Sequence, residues 1–247
     1  MSGNLGAGSL VILPTYDERE TLPATIAGVR EHLPGADILV IDDASPDGTG
    51  VLADAIAAES TGVAVQHRGG KLGLGTAYLQ GFRHAIDHGY RFAIEMDSDG
   101  SHRPRDLPAL LVAAEDGAGL AIGARWVPGG EIVGWPRYRR CISRTGTGVA
   151  RVALRSQLHD LTSGFRVIDT AWLARLDLES IDSQGYGFQV ETAWRLETMG
   201  CPIAEVPIVF VERAGGRSKM SSAIVLEALY GVLRWGWRLR FPRREPA

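Results

Sequence analysis

Short apolar runs alternate with amphipathic stretches through the first half of the chain. "SLVILPT" (9–15), "ADILVIDD" (36–43), "GVAVQH" (62–67), "RFAIEMD" (91–97) and "GLAIGAR" (119–125) are nearly continuous runs of apolar residues, the pattern of strands buried on both faces. Between them, "ETLPATIAGVREHL" (20–33), "DGTGVLADAIAAE" (47–59), "LGTAYLQGFRHAIDH" (74–88) and "RPRDLPALLVAAED" (103–116) repeat apolar positions at helical spacing. The alternation predicts an α/β fold: a mostly parallel, Rossmann-like sheet with helices on both faces. After residue 130 it loosens into an Arg-rich helical stretch, "RYRRCISRTGTGVARVALR" (137–155), then "LTSGFRV" (161–167), a helical "GFQVETAWRLETMG" (187–200) and a strand in "IAEVPIVFVER" (203–213). No repeat or long linker divides the chain, so one domain with a C-terminal extension is expected.

Ligands of such sheets sit beyond the carboxyl ends of the strands. Four polar clusters follow those ends: "PTYDERE" (14–20), "DDASPDGTG" (42–50), "DSDGSH" (97–102) and "ARWVPGG" (124–130). Asp97 and Asp99 are two positions apart, and on an extended strand such residues point the same way. Two carboxylates in one small volume repel each other, and a hard divalent cation, Mg²⁺ or Mn²⁺, resolves that conflict. An Asp-rich turn that caps the next helix is the plainer alternative. In the second cluster Asp42 and Asp43 can accept hydrogen bonds from a ribose or a base, whereas Asp47 in "SPDGT" reads as a turn residue. The first cluster offers Tyr16 for stacking and carboxylates at Asp17 and Glu18.

Composition narrows the function. Hydrophobic residues make up 45% and charged residues 22%, an ordinary globular balance. Two cysteines with no paired spacing suggest neither a disulfide framework nor a zinc site, and fit a reducing compartment. The opening "MSGNLGAGS" lacks a basic and then apolar leader, so a cytoplasmic location is expected. A net charge of −3 argues against broad nucleic-acid binding. The charge is uneven, however: residues 213–247 carry eight Lys/Arg and two Glu, a net +6 that leaves −9 on residues 1–212. A basic tail on an acidic body suggests an anionic partner at that end.

Taken together, "LPTYDERETLP", "VIDDASPDGTG", "MDSDGSHRP", "GARWVPGG", "TSGFRV", "GYGFQVE" and "VPIVFVERAGGRSKMS" resemble, in order and approximate spacing, the family 2 glycosyltransferases, and most closely the polyprenol (dolichol) phosphate mannose synthases. The similarity covers roughly residues 9–222. It implies a GT-A fold, GDP-mannose as donor and a polyprenyl phosphate as acceptor. By this resemblance residues 1–221 form the catalytic domain, and Pro14, Tyr16, Glu18, Ile41 and Asp43 hold the guanosine. Asp97, Ser98 and Asp99 lie by the diphosphate, with Asp97, Asp99 and Ser101 around the metal. Some relatives carry Gln at the position of Ser101; a hydroxyl reaches less far, so direct coordination and coordination through a water both remain open. Arg125, Arg213 and Lys219 match basic residues that contact the donor phosphates, and Arg140, Ser143, Arg144 and Ser163 are the candidates for the acceptor phosphate. His102 reads as structural rather than catalytic, since an anionic acceptor needs no general base. Rival readings are a hexosyl transferase using a UDP-sugar and a catalytically silent sugar-nucleotide-binding module.

Residues 222–247 read as an amphipathic basic helix and tail. "SAIVLEALYGVLRWGWRLRF" (222–241) has no uninterrupted apolar span long enough to cross a membrane. On a helical wheel Val225, Leu226, Leu229, Val232, Leu233 and Leu239 gather on one side, Glu227, Gly231, Arg234 and Arg238 on the other, with Trp235 and Trp237 toward the borders. That pattern predicts a helix lying on a membrane surface or on an integral membrane partner, at the cytoplasmic face; docking on the protein's own core is the alternative.

Overall fold

The computed structural model describes residues 4–181, 183, 185–212 and 231–237. The elements run β1 (Ser9–Thr15), α1 (Leu22–His32), β2 (Asp37–Asp42), α2 (Thr49–Glu59), β3 (Val63–His67), α3 (Leu74–Asp87), β4 (Phe92–Glu95), α4 (Leu107–Glu115) and β5 (Leu120–Ala124). They continue with β6 (Glu131–Val133), α5 (Arg137–Leu154), β7 (Arg166–Asp169), α6 (Thr170–Leu173), α7 (Tyr186–Thr198), β8 (Ile203–Pro207) and β9 (Val209–Val211).

Seven strands form one sheet in the order β3-β2-β1-β4-β7-β5-β8, and β6 pairs with β9 in a separate ribbon. All neighbours in the large sheet are parallel except β7, which runs antiparallel to both β4 and β5. The five apolar runs become β1 to β5. Alternate residues of β1 serve opposite faces. Leu10 and Ile12 pack with Tyr78 and Phe82 of α3 and Phe188 of α7, whereas Val11 and Leu13 pack with Leu22 and Val29 of α1 and Leu110 of α4. Gly81 permits the close approach of α3 to β1, because a β-carbon there would lie 2.6 Å from Ile12 Cγ2.

Three expectations need correction. β4 ends at Glu95, so Asp97 and Asp99 lie beyond the strand and are not oriented by strand alternation. The expected strand over 203–213 is two: Ile208 is buried where the chain leaves β5 and crosses to β6. In the helical segment 231–237, Val232 and Trp235 face the domain and are buried, and Trp235 stacks on Trp194 at 5.9 Å. Val232 therefore does not belong to a lipid-facing side, while Leu233 and Trp237 are exposed. The remainder of 222–241 lies outside the described residues.

The rings of Tyr78, Phe82 and Phe188 stack on one another at 6.0–6.3 Å in the core beneath the cleft. Phe82 is fully buried. Phe82→Ala leaves a cavity there and is expected to lower the unfolding free energy by about 3–5 kcal/mol, measured by urea titration followed by circular dichroism.

Candidate active site

The carboxyl ends of β1, β2, β4 and β5 open onto a cleft of about 690 Å³. Pro14, Tyr16 and Glu18 after β1 and Asp43 after β2 line one end. Asp43 holds its neighbourhood together: its carboxylate accepts from Arg68 Nη1 (2.7 Å) and from the amides of Leu72 (3.0 Å) and Gly73 (3.1 Å). The loop so pinned carries Lys71, whose ammonium sits 4.0 Å over the Tyr16 ring. Lys71 was not singled out in the sequence, although a lysine in the Gly-rich "RGGKLGLG" between a strand end and a helix was the available signal. Asp42 is occupied structurally, accepting from Thr15 Oγ1 and from the Ser45 hydroxyl and amide. Asp47 caps its own turn through Thr49, as expected of it. The Ile41 side chain is fully buried in the core and does not line the cleft.

Asp97, Ser98, Asp99 and Ser101 all line the middle of the cleft. Asp97 Oδ1 accepts from the Tyr78 hydroxyl at 3.1 Å. Burial, reinforced by Asp97 and Glu95, pushes the Tyr78 pKa well above its ordinary value and keeps it a neutral donor. Ser98 ties this loop to β1 by donating to the Pro14 carbonyl (3.2 Å), and Asp99 Oδ1 accepts from the Ser101 amide (3.0 Å). Ser101 Oγ is buried and has no hydrogen-bond partner among the described residues. His102 is buried between Phe165 (4.8 Å, stacked) and Phe210 (5.5 Å, edge-on), and its Nδ1 accepts from the Asp97 amide at 3.0 Å. Burial pushes its pKa down to about 4, against the opposing pull of Asp99, so a neutral ring with the proton on Nε2 fits the hydrogen bond. His102 thus holds the backbone that carries Asp97.

The donor set at Asp97, Asp99 and Ser101 is all oxygen and suits a hard cation. No group of three or more His, Cys, Asp and Glu side chains suited to a metal occurs among the described residues, so an ion here would draw further ligands from substrate and water.

Arg125, leaving β5, is buried and grips Asp160 by three bonds: its amide and Nε to Oδ2 (2.8 Å each) and Nη2 to Oδ1 (2.7 Å). Nη2 also donates to Thr162 Oγ1 (2.8 Å), and the guanidinium faces the Phe210 ring at 5.3 Å. Asp160 is fully buried and was not foreseen as part of the site. Arg139 also lines the cleft, stacked on Trp135 at 4.1 Å and ion-paired to Glu212 at 3.1 Å. The acceptor candidates fall elsewhere. Arg140 donates to the Ile132 carbonyl (2.6 Å), Arg144 lies exposed with its guanidinium 5.9 Å from the Trp126 ring, and Ser143 is half-buried on α5. Ser163 is buried and donates to the Gly123 carbonyl at 2.6 Å, and none of these four lines the cleft. Arg213 and Lys219 lie outside the described residues. Beneath Asp97, Glu95 and Arg166 are fully buried and paired in register across β4 and β7. Burial raises the Glu95 pKa to about 7 despite the opposing effect of Arg166.

Relatives are consistent along nearly the whole chain. The undecaprenyl-phosphate mannosyltransferase of Micrococcus luteus is 50% identical over 232 residues, 94% of this chain and 95% of that protein. The polyprenol monophosphomannose synthase of Mycolicibacterium smegmatis is 47% identical over 236 residues, 95% of this chain and 89% of that protein. Among solved structures, glucosyl-3-phosphoglycerate synthase of Mycobacterium tuberculosis in complex with Mn²⁺, UDP-glucose and phosphoglyceric acid superposes with a TM-score of 0.68 at 20% identity, covering 94% of this chain and 80% of that one. That likeness establishes the shared GT-A fold. Residues 10–177 match the family model described as glycosyl transferase family 2, and with these relatives the match establishes that the chain belongs to that family.

Proposed function

We propose that this enzyme transfers mannose from GDP-mannose to a polyprenyl monophosphate with inversion, giving polyprenyl-phosphate mannose. The observation that carries the reading is identity of 47–50% to two polyprenyl-phosphate mannose-forming proteins over nearly the full length of this chain. The geometry agrees with it. Tyr16, Glu18 and Asp43 line the end of the cleft that this reading gives to the nucleoside, and Asp97, Asp99 and Ser101 are oxygen donors of the type that holds Mg²⁺ or Mn²⁺. Held by these residues, an ion of this kind would supply charge neutralisation for the departing diphosphate. Arg125, oriented by Asp160 before substrate arrives, adds a fixed cation whose geometry needs no reorganisation. On the resemblance, Arg213 and Lys219 act alongside it. The acceptor is already an anion, so attack on the anomeric carbon needs no base. His102 fits that logic, because its Nδ1 is taken by the Asp97 amide. A single in-line displacement inverts the anomeric centre. The acidic pair and Arg125 meeting in one cleft favour an enzyme over a silent binding module.

The acceptor's chemistry places the protein at a membrane surface, and we assign the docking face to α5. Among the described residues no helix is long and apolar enough to cross a membrane. Tyr138, Ile142, Val149 and Val152 fall within an arc of about 80° on α5. They are exposed, with Tyr138 at 69%, Ile142 at 55% and Val152 at 72%, opposite the buried Thr147, Ala150 and Leu154. Arg137 and Arg144 both lie along one edge of the stripe, and no acid lies between Glu131 and Asp160. An outward apolar stripe with a basic edge suits an anionic bilayer. The exposed Leu233 and Trp237 belong to the neighbouring segment, which packs on α5 at Gly236 and Ala153. On this reading the protein is peripheral, at the cytoplasmic face.

Radiolabel transfer to a short polyprenyl phosphate in detergent, run with GDP-mannose and with UDP-glucose, is expected to show strong preference for GDP-mannose; preference for UDP-glucose would sink the assignment. Asp99→Ala is expected to reduce metal-dependent transfer by about 10²–10³-fold, a loss of the size seen when one transition-state charge partner is removed. Near-normal turnover of that variant would reject the metal role. Wild-type protein should co-sediment with phosphatidylglycerol vesicles, more weakly at high salt. The double variant Ile142→Glu, Val152→Glu should bind them about 10-fold less or worse while retaining transfer to the short acceptor, since each replacement forfeits burial of an apolar side chain.

A further inference from the structure

Gln189 stands out among the residues lining the cleft. It lies in the first turns of α7 and is 2% exposed, yet neither its amide oxygen nor its amide nitrogen has a hydrogen-bond partner among the described residues. Its backbone is held firmly, with the carbonyl accepting from Arg166 Nη2 at 2.9 Å. Beneath it lies Glu95, whose ionised form the amide favours without completing a hydrogen bond of ordinary geometry. Across from it Gly164 has no side chain; a β-carbon there would lie 3.3 Å from Gln189 Nε2 and would cover the amide. A desolvated amide without a partner beside a cleft is expensive unless a ligand pairs with it.

The order of the sheet says which part of the donor lies there. Tyr16 and Asp43 line the cleft beside β1 and β2, and Asp97 and Asp99 line it after β4, so on the proposed donor reading the nucleoside falls at the first and the diphosphate at the second. The next strand across is β7, whose entry carries Gly164 and whose Arg166 anchors Gln189. The sugar is the next group along the donor. We propose that Gln189 is a specificity residue that pairs with a hydroxyl of the transferred hexose. This rests on the mannosyl-transfer reading. A primary amide both donates and accepts, as a hydroxyl does, and being neutral it neither repels the diphosphate nor competes for the cation.

The test compares kcat/KM of wild type and Gln189→Met for GDP-mannose and its 2-, 3-, 4- and 6-deoxy forms. Wild type is expected to lose about 100-fold on one deoxy donor. Gln189→Met should lose about 100-fold on GDP-mannose and little further on that same deoxy donor, with GDP affinity within about threefold of wild type. Equal losses on every donor, or wild-type discrimination in the variant, would overturn the assignment. Gln189→Leu is a second neutral replacement that removes the amide and serves where Met disturbs packing; loss of GDP binding in both variants would make Gln189 a folding residue and equally reject the proposal. Failure of wild type to use GDP-mannose at all would refute the mannosyl-transfer reading instead, which keeps the two conclusions separable.

Discussion

One strand running against its neighbours gives the cleft its floor. Because β7 is antiparallel between β4 and β5, the chain enters the sheet at the same rim where those two strands leave it. The entry segment, residues 160–165, therefore lies among the functional loops rather than on the far side of the domain. Asp160 clamps Arg125, Ser163 binds the Gly123 carbonyl, Gly164 faces the Gln189 amide, and Phe165 stacks on the imidazole that holds the Asp97 backbone. With a parallel strand in that position, the rim would receive the strand's exit instead and these contacts would have no common origin.

The arrangement carries a stability cost. Arg125, Asp160, Glu95 and Arg166 are all buried, and replacing buried ion pairs by packed apolar groups is often neutral or stabilising. Such groups persist where a fixed orientation is worth more than the desolvation they incur. Arg166 fits that description. Its Nη2 ties the Leu161 carbonyl of the entry segment to the Gln189 carbonyl of α7, at 2.9 Å each, joining two elements of the cleft wall through one side chain.

Strands β1 to β5 were legible because burial on both faces forces unbroken apolar runs. β7 was not, because its four residues begin with the buried Arg166, and a charge inside a strand hides the pattern that would announce it. The polar clusters at the strand ends were equally readable, since parallel topology sends them to one rim. Asp160, Arg139 and Gln189 carry no local signature; their places follow from tertiary contacts, with partners as far as 45 positions away for Asp160. Residues 231–237 show the same limit. A helical wheel sorts apolar from polar but does not name the neighbour, and here Val232 and Trp235 met the domain itself.

Charge balance then constrains the chemistry. Among the described residues lining the cleft, Glu18, Asp43, Asp97 and Asp99 are acidic, and Lys71, Arg125 and Arg139 are basic. The cations are already engaged: Arg125 by Asp160, Arg139 by Glu212, and Lys71 over a tyrosine ring. An ion pair presents a diphosphate with an oriented dipole more than a net charge, so these residues are built to orient such a ligand more than to neutralise it. Coulomb repulsion between a diphosphate and the Asp97 and Asp99 carboxylates, in a partly desolvated cleft, would oppose binding unless positive charge arrives with the substrate. The sequence therefore specifies an acidic cleft that suits a cation, and the Ser101 hydroxyl, buried and without a hydrogen-bond partner among the described residues, lies beside the two carboxylates as a third protein oxygen for one.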